Sequence, residues 1–200
     1  TGSASTALAI LIDVGSPSAP SITTAAQFAS TTDMIHIIGN AEADSVVTIT
    51  GGASPVSGAT TGGNYDIEVT LTQNAVNNLS VTATDASDNE SSPATVDITH
   101  DNTAPTGTIV INGGDAYTNS PNVTLTLSAA IDLSGVVEMN IANWTSYDGW
   151  ETYSTSKAWI LTANDAEKTV RVKFRDAAGN ETAIGVSDTI ILDTVAPVIT

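Results

Sequence analysis

The sequence contains no cysteine, so disulfides play no part in holding it together and the redox compartment is left open. Residues 1–156 contain neither lysine nor arginine; the five basic side chains all lie at or beyond Lys157, against 22 acids, for a formal net charge of −17. Binding to nucleic acid requires cations on the phosphates, and an anionic membrane surface requires them too, so both partners are excluded. Such a charge keeps a chain soluble and monomeric, at the cost of self-repulsion unless cations sit among the carboxylates. Aromatic residues are scarce at 4%. The longest apolar run, Ala7–Ile12, is too short to span a bilayer, and with no basic stretch before it it does not read as a signal peptide. Helical periodicity is sustained nowhere. Catalytic signatures are missing as well: no Gly-x-Ser-x-Gly elbow, no phosphate loop after a strand, and two histidines, His36 and His100, on or beside strands, where ordinary packing or exposure explains them. No enzyme is expected.

What is present is repetition. Ile98-Thr99-His100-Asp101-Asn102-Thr103-Ala104-Pro105 has a near-copy in Ile191-Leu192-Asp193-Thr194-Val195-Ala196-Pro197, and a looser one in Leu11-Ile12-Asp13-Val14-Gly15 followed by Pro17 and Pro20. Each is an apolar strand end, an Asp, a short spacer and a proline, which holds the chain extended. The three Asp residues are 88 and 92 positions apart. A second motif keeps the same register: Asp85-Ala86-Ser87-Asp88-Asn89-Glu90 and Asp176-Ala177-Ala178-Gly179-Asn180-Glu181 are 91 positions apart. Two motifs in one period point to a tandem array.

Between the junctions, Thr- and Val-rich segments alternate, as in Tyr65–Thr72, where Tyr65, Ile67, Val69 and Leu71 interleave with polar residues. Gly51-Gly52, Gly62-Gly63 and Asn77-Asn78 are expected as turns, and Asp148-Gly149 as a hairpin tip. The fold class is all-β: two tandem seven-stranded β-sandwiches in an extended array, which the resemblance described below makes Ig-like. The boundaries follow: 1–16, the last strand of a preceding repeat (Thr6–Val14) plus linker; 17–100, domain 1; 101–193, domain 2; 194–200, a linker into the next repeat.

Ile38-Gly39-Asn40-Ala41-Glu42-Ala43, Val46–Thr50 and Leu79–Asp85 resemble bacterial Ig-like repeats, as do Phe174–Glu181 and the Asp-Thr-Val-Ala-Pro junction in a different subtype. The resemblance covers nearly the whole chain. It implies a non-catalytic extracellular spacer in the stalk of a bacterial surface adhesin, many of which are stiffened by calcium, with neighbouring repeats of the same chain as partners. One departure stands out: Asp88 replaces the usual glycine of the Asp-x-x-Gly-Asn pattern.

In a seven-stranded sandwich the chain enters at one end, and alternate loops return to that end. Asp85, Asp88, Asn89 and Glu90, with Glu42 and Asp44, are therefore expected to face Asp13. In the second domain Asp176, Asn180, Glu181 and Asp132 are expected to face Asp101 and Asn102, with Asp193 opening the next junction. These side chains offer oxygen and no base, the donor set that Ca2+ takes in six- to eight-fold coordination. Turn chemistry, with Asp and Asn capping their own backbone, is the rival account.

Trp144, Tyr147, Trp150, Tyr153 and Trp159 crowd into one stretch of an otherwise aromatic-poor chain. Packing of a sandwich core and hairpin accounts for them. The alternative is a carbohydrate-binding accessory module, with Trp144, Tyr147, Trp150 and Tyr153 stacking on a glycan.

Overall fold

The structure is a computed structural model describing residues 13–29, 32–144, 146–147 and 149–197. Of the strand expected over Thr6–Val14, all but the last two residues lie outside that range, and Asp13 and Val14 are not in a strand. No α-helix occurs among the described residues, and no helix is long and apolar enough to cross a membrane. The chain divides into two compact units, the first holding the described residues up to 99 except 28 and 29, which group with the second unit that runs on from His100.

The first unit is built from β1 (Ser21–Ile22), β2 (Gln27–Ala29), β3 (Met34–Asn40), β4 (Val46–Thr50), β5 (Val56–Ala59), β6 (Asn64–Thr70), β7 (Ala75–Thr84) and β8 (Ala94–His100). They form a three-stranded sheet, β1-β3-β6, and a five-stranded sheet, β2-β8-β7-β4-β5. The period-two pattern sets the faces: Tyr65, Ile67 and Val69 turn inward from β6 while Asp66, Glu68 and Thr70 stay wet. Opposite them Val47, Ile49, Leu79, Val81, Ala83 and Ile98 are buried from the second sheet. Each of the buried Val, Leu and Ile side chains contributes about 1.5–3 kcal/mol through removal from water.

The second unit repeats the plan with β9 (Gly107–Ile111), β10 (Tyr117–Thr118), β11 (Asn122–Ala129), β12 (Val136–Asn143), β13 (Ser146–Tyr147), β14 (Glu151–Thr152), β15 (Ser156–Ile160), β16 (Ala166–Asp176) and β17 (Val186–Leu192). A three-stranded sheet, β15-β11-β9, meets a six-stranded one running β10-β17-β16-β12-β13, with β14 beside β12. The core between them joins Ile109, Ile111, Leu125 and Leu127 to Met139, Ile141, Val170, Val172, Phe174 and Ile190. Strand for strand, β9, β11 and β15 correspond to β1, β3 and β6, while β12, β16 and β17 correspond to β4, β7 and β8.

The all-β sandwich reading holds. The count of seven strands does not: short strands such as β1, β2, β10, β13 and β14 cap the sheet edges and bring the sheets to three and five strands in one unit and three and six in the other. Asn77-Asn78 is not a turn either. Both residues lie inside β7, because the Asn77 side chain closes the turn ahead of it by accepting from Thr72 N (2.7 Å) and donating to Thr72 O (3.1 Å), Ala75 O (3.2 Å) and Ile98 O (3.3 Å). His100, expected to be exposed, is fully buried at the end of β8, where the strand alternation turns it inward. His36 is exposed; Asp66 Oδ1, 2.6 Å from its Nδ1, raises its pKa above the ordinary histidine value.

Candidate functional site at the start of the second unit

The three junction aspartates share one local geometry. Each carboxylate accepts from the backbone N–H two residues on: Asp13 from Gly15 at 3.0 Å, Asp101 from Thr103 at 3.0 Å, Asp193 from Val195 at 3.1 Å. This is the Asx turn, in which an Asp side chain imitates the backbone and fixes the bend before the following proline. The repeat visible in the letters is therefore a repeat in hydrogen bonding.

The Asp-x-x-x-Asn motif is a second repeated device. Asp176 Oδ1 accepts from Asn180 N (2.7 Å) and its Oδ2 from Asn180 Nδ2 (2.8 Å), while Nδ2 also donates to the Asp101 carbonyl (2.9 Å). In the first unit Asp85 holds Asn89 in the same way (3.0 and 2.9 Å), and Asn89 Nδ2 reaches the Asp13 carbonyl (3.2 Å). Asn thus clasps the chain as it enters each unit.

Only in the second unit does a cluster form among the described residues. Asp101, Asp132 and Asp176 each offer a carboxylate oxygen, all within 4.8 Å of one another. Asp101 directly follows β8, ahead of the Asn-Thr-Ala-Pro spacer, Asp132 lies in the loop between β11 and β12, and Asp176 is the last position of β16. Asp101 is fully buried and Asp176 only 1% exposed. Ser134 braces the group: its N–H donates to Asp101 Oδ2 (3.0 Å) and Asp132 Oδ1 (3.2 Å), and its hydroxyl to Asp132 Oδ1 (3.3 Å). Gly135 N–H donates to the same Asp132 oxygen at 3.2 Å. Ser134 was not singled out from the sequence. The signal was there in Asp132-x-Ser134-Gly135, a turn pattern that aims N–H groups back at the Asp.

The electrostatics divide the three carboxylates. Burial works against ionisation of Asp101, but the hydrogen bonds from Ser134 and Thr103 outweigh it and hold its pKa below the ordinary value. Asp132 is pushed the other way, first by burial and then by repulsion from Asp101 and Asp176. Its charged form therefore costs stability at neutral pH, a cost that fades as acid protonates it. A cation placed between the three would remove that conflict. The ligand atoms of the group are all carboxylate oxygens, with no His or Cys atom among them, which fits calcium and not zinc.

The remaining candidate ligands lie elsewhere. Glu181 is engaged by Arg175 (2.7 Å), and Asn180 serves as the clasp. Asn102 and Asp193 are exposed. In the first unit Asp13, Glu42, Asp44, Asp88 and Glu90 are all exposed. In the loop between β3 and β4 the Glu42 carbonyl accepts from Ser45 Oγ (2.7 Å) and Thr60 Oγ1 (3.0 Å).

Asp88 has φ +63, matching Gly179 at φ +90 in the other unit. A side chain in this region is strained where glycine is not. Asp88→Gly is expected to stabilise the first unit by about 0.5–1 kcal/mol, seen as a higher urea midpoint, whereas Asp88→Ala lowers it.

The aromatic stretch separates into two groups. Tyr153 packs inward, edge-on to Phe174 with centroids 5.9 Å apart, its hydroxyl accepting from Ala129 N (3.0 Å), and Trp159 lies against the same core. Trp144, Tyr147 and Trp150 instead meet Arg171, Lys173 and Arg175 on the outer face of β16.

Residues 17–101 match the model of a family described as Bacterial Ig domain. No curated protein matches the chain. Among solved structures, the fibronectin(III)-like modules of Clostridium thermocellum CbhA align at 16% identity over 86% of this chain and 93% of that one, with a TM-score of 0.42. The D00-D0 domain of Intimin aligns at 10% identity over 88% and 98%, TM-score 0.38, and the BSP domain of a Biofilm associated protein at 14% over 90% and 30%, TM-score 0.30. At these identities and scores, no property of those proteins is carried to this chain.

Proposed function

Because residues 17–101 match the bacterial Ig domain family model, we propose that the chain is a non-catalytic spacer segment of an extracellular bacterial surface adhesin, and that calcium at Asp101, Asp132 and Asp176 stiffens the start of its second unit. The observation that carries this reading is the convergence of three carboxylates, from the incoming chain, the β11–β12 loop and the end of β16, within 4.8 Å of one another. The sequence separation of the three residues supports it: an ion held by all of them would tie the incoming segment to both the β11–β12 loop and the end of β16. Asp101 is already held twice, through its carbonyl by Asn180 and through its carboxylate by Ser134. When bound, calcium supplies the positive charge that lets all three acids stay ionised at once. A segment so fixed transmits orientation from one repeat to the next, which is the task of a spacer. Outside the cell calcium is abundant enough to fill sites with dissociation constants of about 10⁻⁴–10⁻³ M.

The test is Asp132→Asn in calcium and in EDTA. At about ten times its dissociation constant, one calcium stabilises the unit by about 1.4 kcal/mol, or very roughly 5–10 °C in Tm. The variant keeps an oxygen to accept from Ser134 and Gly135 but loses one charge. In EDTA it should melt above the parent chain, since repulsion is relieved. In calcium it should melt below, since a ligand charge is gone. A shift of the same sign and size in both buffers would sink the metal reading and leave the three aspartates as turn residues.

A further inference from the structure

The outer face of β16 presents the chain's densest run of positive charge. Period-two alternation sends Val170, Val172 and Phe174 into the core and leaves Arg171, Lys173 and Arg175 on the opposite face. A ring of the segment after β12 meets each of them. The Arg171 guanidinium lies 4.8 Å from the centroid of Trp144, Lys173 Nζ 5.4 Å from that of Tyr147, and the Arg175 guanidinium 3.9 Å from that of Trp150. Tyr147 reaches across to β17, its hydroxyl over Gly185, where a Cβ would come within 2.3 Å of it.

The three cations are not equivalent. Arg175 is neutralised by Glu138 (2.8 Å) and Glu181 (2.7 Å). Lys157 pairs with Glu151, and Lys168 donates to the Ala163 carbonyl (3.0 Å). Arg171 and Lys173 have no carboxylate partner among the described residues, in a chain with 22 acids and five bases. Arg171 Nε is moreover buried without a hydrogen-bond acceptor. An aromatic face attracts a cation but offers it no acceptor, so the desolvated donor stays unsatisfied. Trp144 is 56% exposed, and its φ of +70 belongs to the first position of the two-residue hairpin loop that joins Asn143 of β12 to Ser146 of β13. Beside Arg171 in the register of β17 is Ser187, and beside Thr169 is Thr189, both exposed hydroxyls on the same face.

Two unpaired cations one β-repeat apart, an exposed indole and adjoining hydroxyls form a set with one chemical complement. We propose that this strip binds a carboxylated sugar, a uronic acid unit of an acidic glycan, with its carboxylate on Arg171 and Lys173, the C–H face of its ring on Trp144 and its hydroxyls toward Ser187 and Thr189. A neutral sugar would leave the cations unanswered. A densely charged polyanion such as nucleic acid would be repelled by the rest of a chain with net charge −17. A glycan with one carboxylate per disaccharide brings charge where the cations are and little elsewhere. The inference is independent of the calcium reading, since none of these residues belongs to the acidic cluster.

The test is an NMR titration of the whole 200-residue chain. The probes are a tetrasaccharide alternating glucuronic acid and N-acetylglucosamine, the neutral N-acetylglucosamine tetrasaccharide, and a short oligothymidine. The acidic tetrasaccharide is expected to shift the indole N–H of Trp144 and to bind at least about ten-fold tighter than the neutral one, with the advantage shrinking as salt is raised. Arg171→Gln, Lys173→Gln and Trp144→Ala should each weaken it about ten-fold while the melting temperature of Lys173→Gln stays within about 2 °C of the parent. Equal binding of acidic and neutral sugars would overturn the proposal in favour of ring stacking alone. Tighter binding of oligothymidine would overturn it in favour of a nucleic-acid surface. No shift with the acidic probe would leave the strip as an internal brace of the β12–β14 hairpin and end the glycan reading.

Discussion

Phe174→Ala should destabilise the second unit by about 3–5 kcal/mol. The ring is fully buried on the central strand β16, between Tyr153, which meets it edge-on with the ring planes at 77°, and the aliphatic side chains of the facing sheet. Its removal takes away the transfer energy of the largest fully buried side chain and leaves a void that β-strands on both sides are too constrained to close. For a unit of about 90–100 residues this corresponds to roughly 15–30 °C in Tm. Calorimetry on the whole chain should show that transition move while the one belonging to the first unit stays in place. Phe174→Leu, which keeps most of the volume, should cost about 1–1.5 kcal/mol. A loss below about 1 kcal/mol for the alanine variant would mean that β16 does not carry the core as described.

Asn77→Ala should cost the first unit about 3 kcal/mol, although it removes no more than an amide. Asn77 is 2% exposed and its four bonds satisfy the N–H and carbonyl of Thr72 and the carbonyls of Ala75 and Ile98. Truncation leaves buried groups unpaired, each at about 1–3 kcal/mol, with water admitted to some of them. Asn78→Ala provides the contrast. That side chain is exposed and bonds only to Asp97 Oδ1 (2.7 Å), so its loss should stay within about 0.5 kcal/mol. Urea unfolding of the two variants should differ several-fold in destabilisation. Equal losses would show that the side chain of Asn77 closes no turn.

The same dipeptide shows where sequence reading stops. Two consecutive asparagines signal a turn, and a turn is indeed there, but it lies at residues 73–74, ahead of them. An Asn that imitates backbone can close a turn from outside it, and composition does not tell which side. The strands were legible because alternation is a property of neighbours in the chain: Tyr65, Ile67 and Val69 need no partner to declare their face. The convergence of Asp101, Asp132 and Asp176 followed from topology, since loops that return to one end must bring their residues with them. The matching loop in the first unit holds Glu42 and Asp44, and both point to solvent; loop length and shape, not residue type, separate the two cases. Glu181 was drawn to Arg175 by a contact between neighbouring segments that motif spacing does not encode. Arg171, Lys173 and Arg175 alternate plainly in the sequence, yet their rings come from a segment folded back upon them.

The clasp joins residues far apart in the chain: Asn180 to Asp101 across 79 positions, Asn89 to Asp13 across 76. A chain that emerges from a ribosome or a secretion channel N-terminus first presents its junction Asp long before the Asn that secures it. Each unit therefore stays unlatched at its leading end until nearly its last strand has come through. Long-range closure of this kind slows folding, and it makes completion of one unit depend on delivery of its own tail. In an array of such units, maturation would advance as a series of discrete locking events, each lagging the moving chain by almost one full repeat.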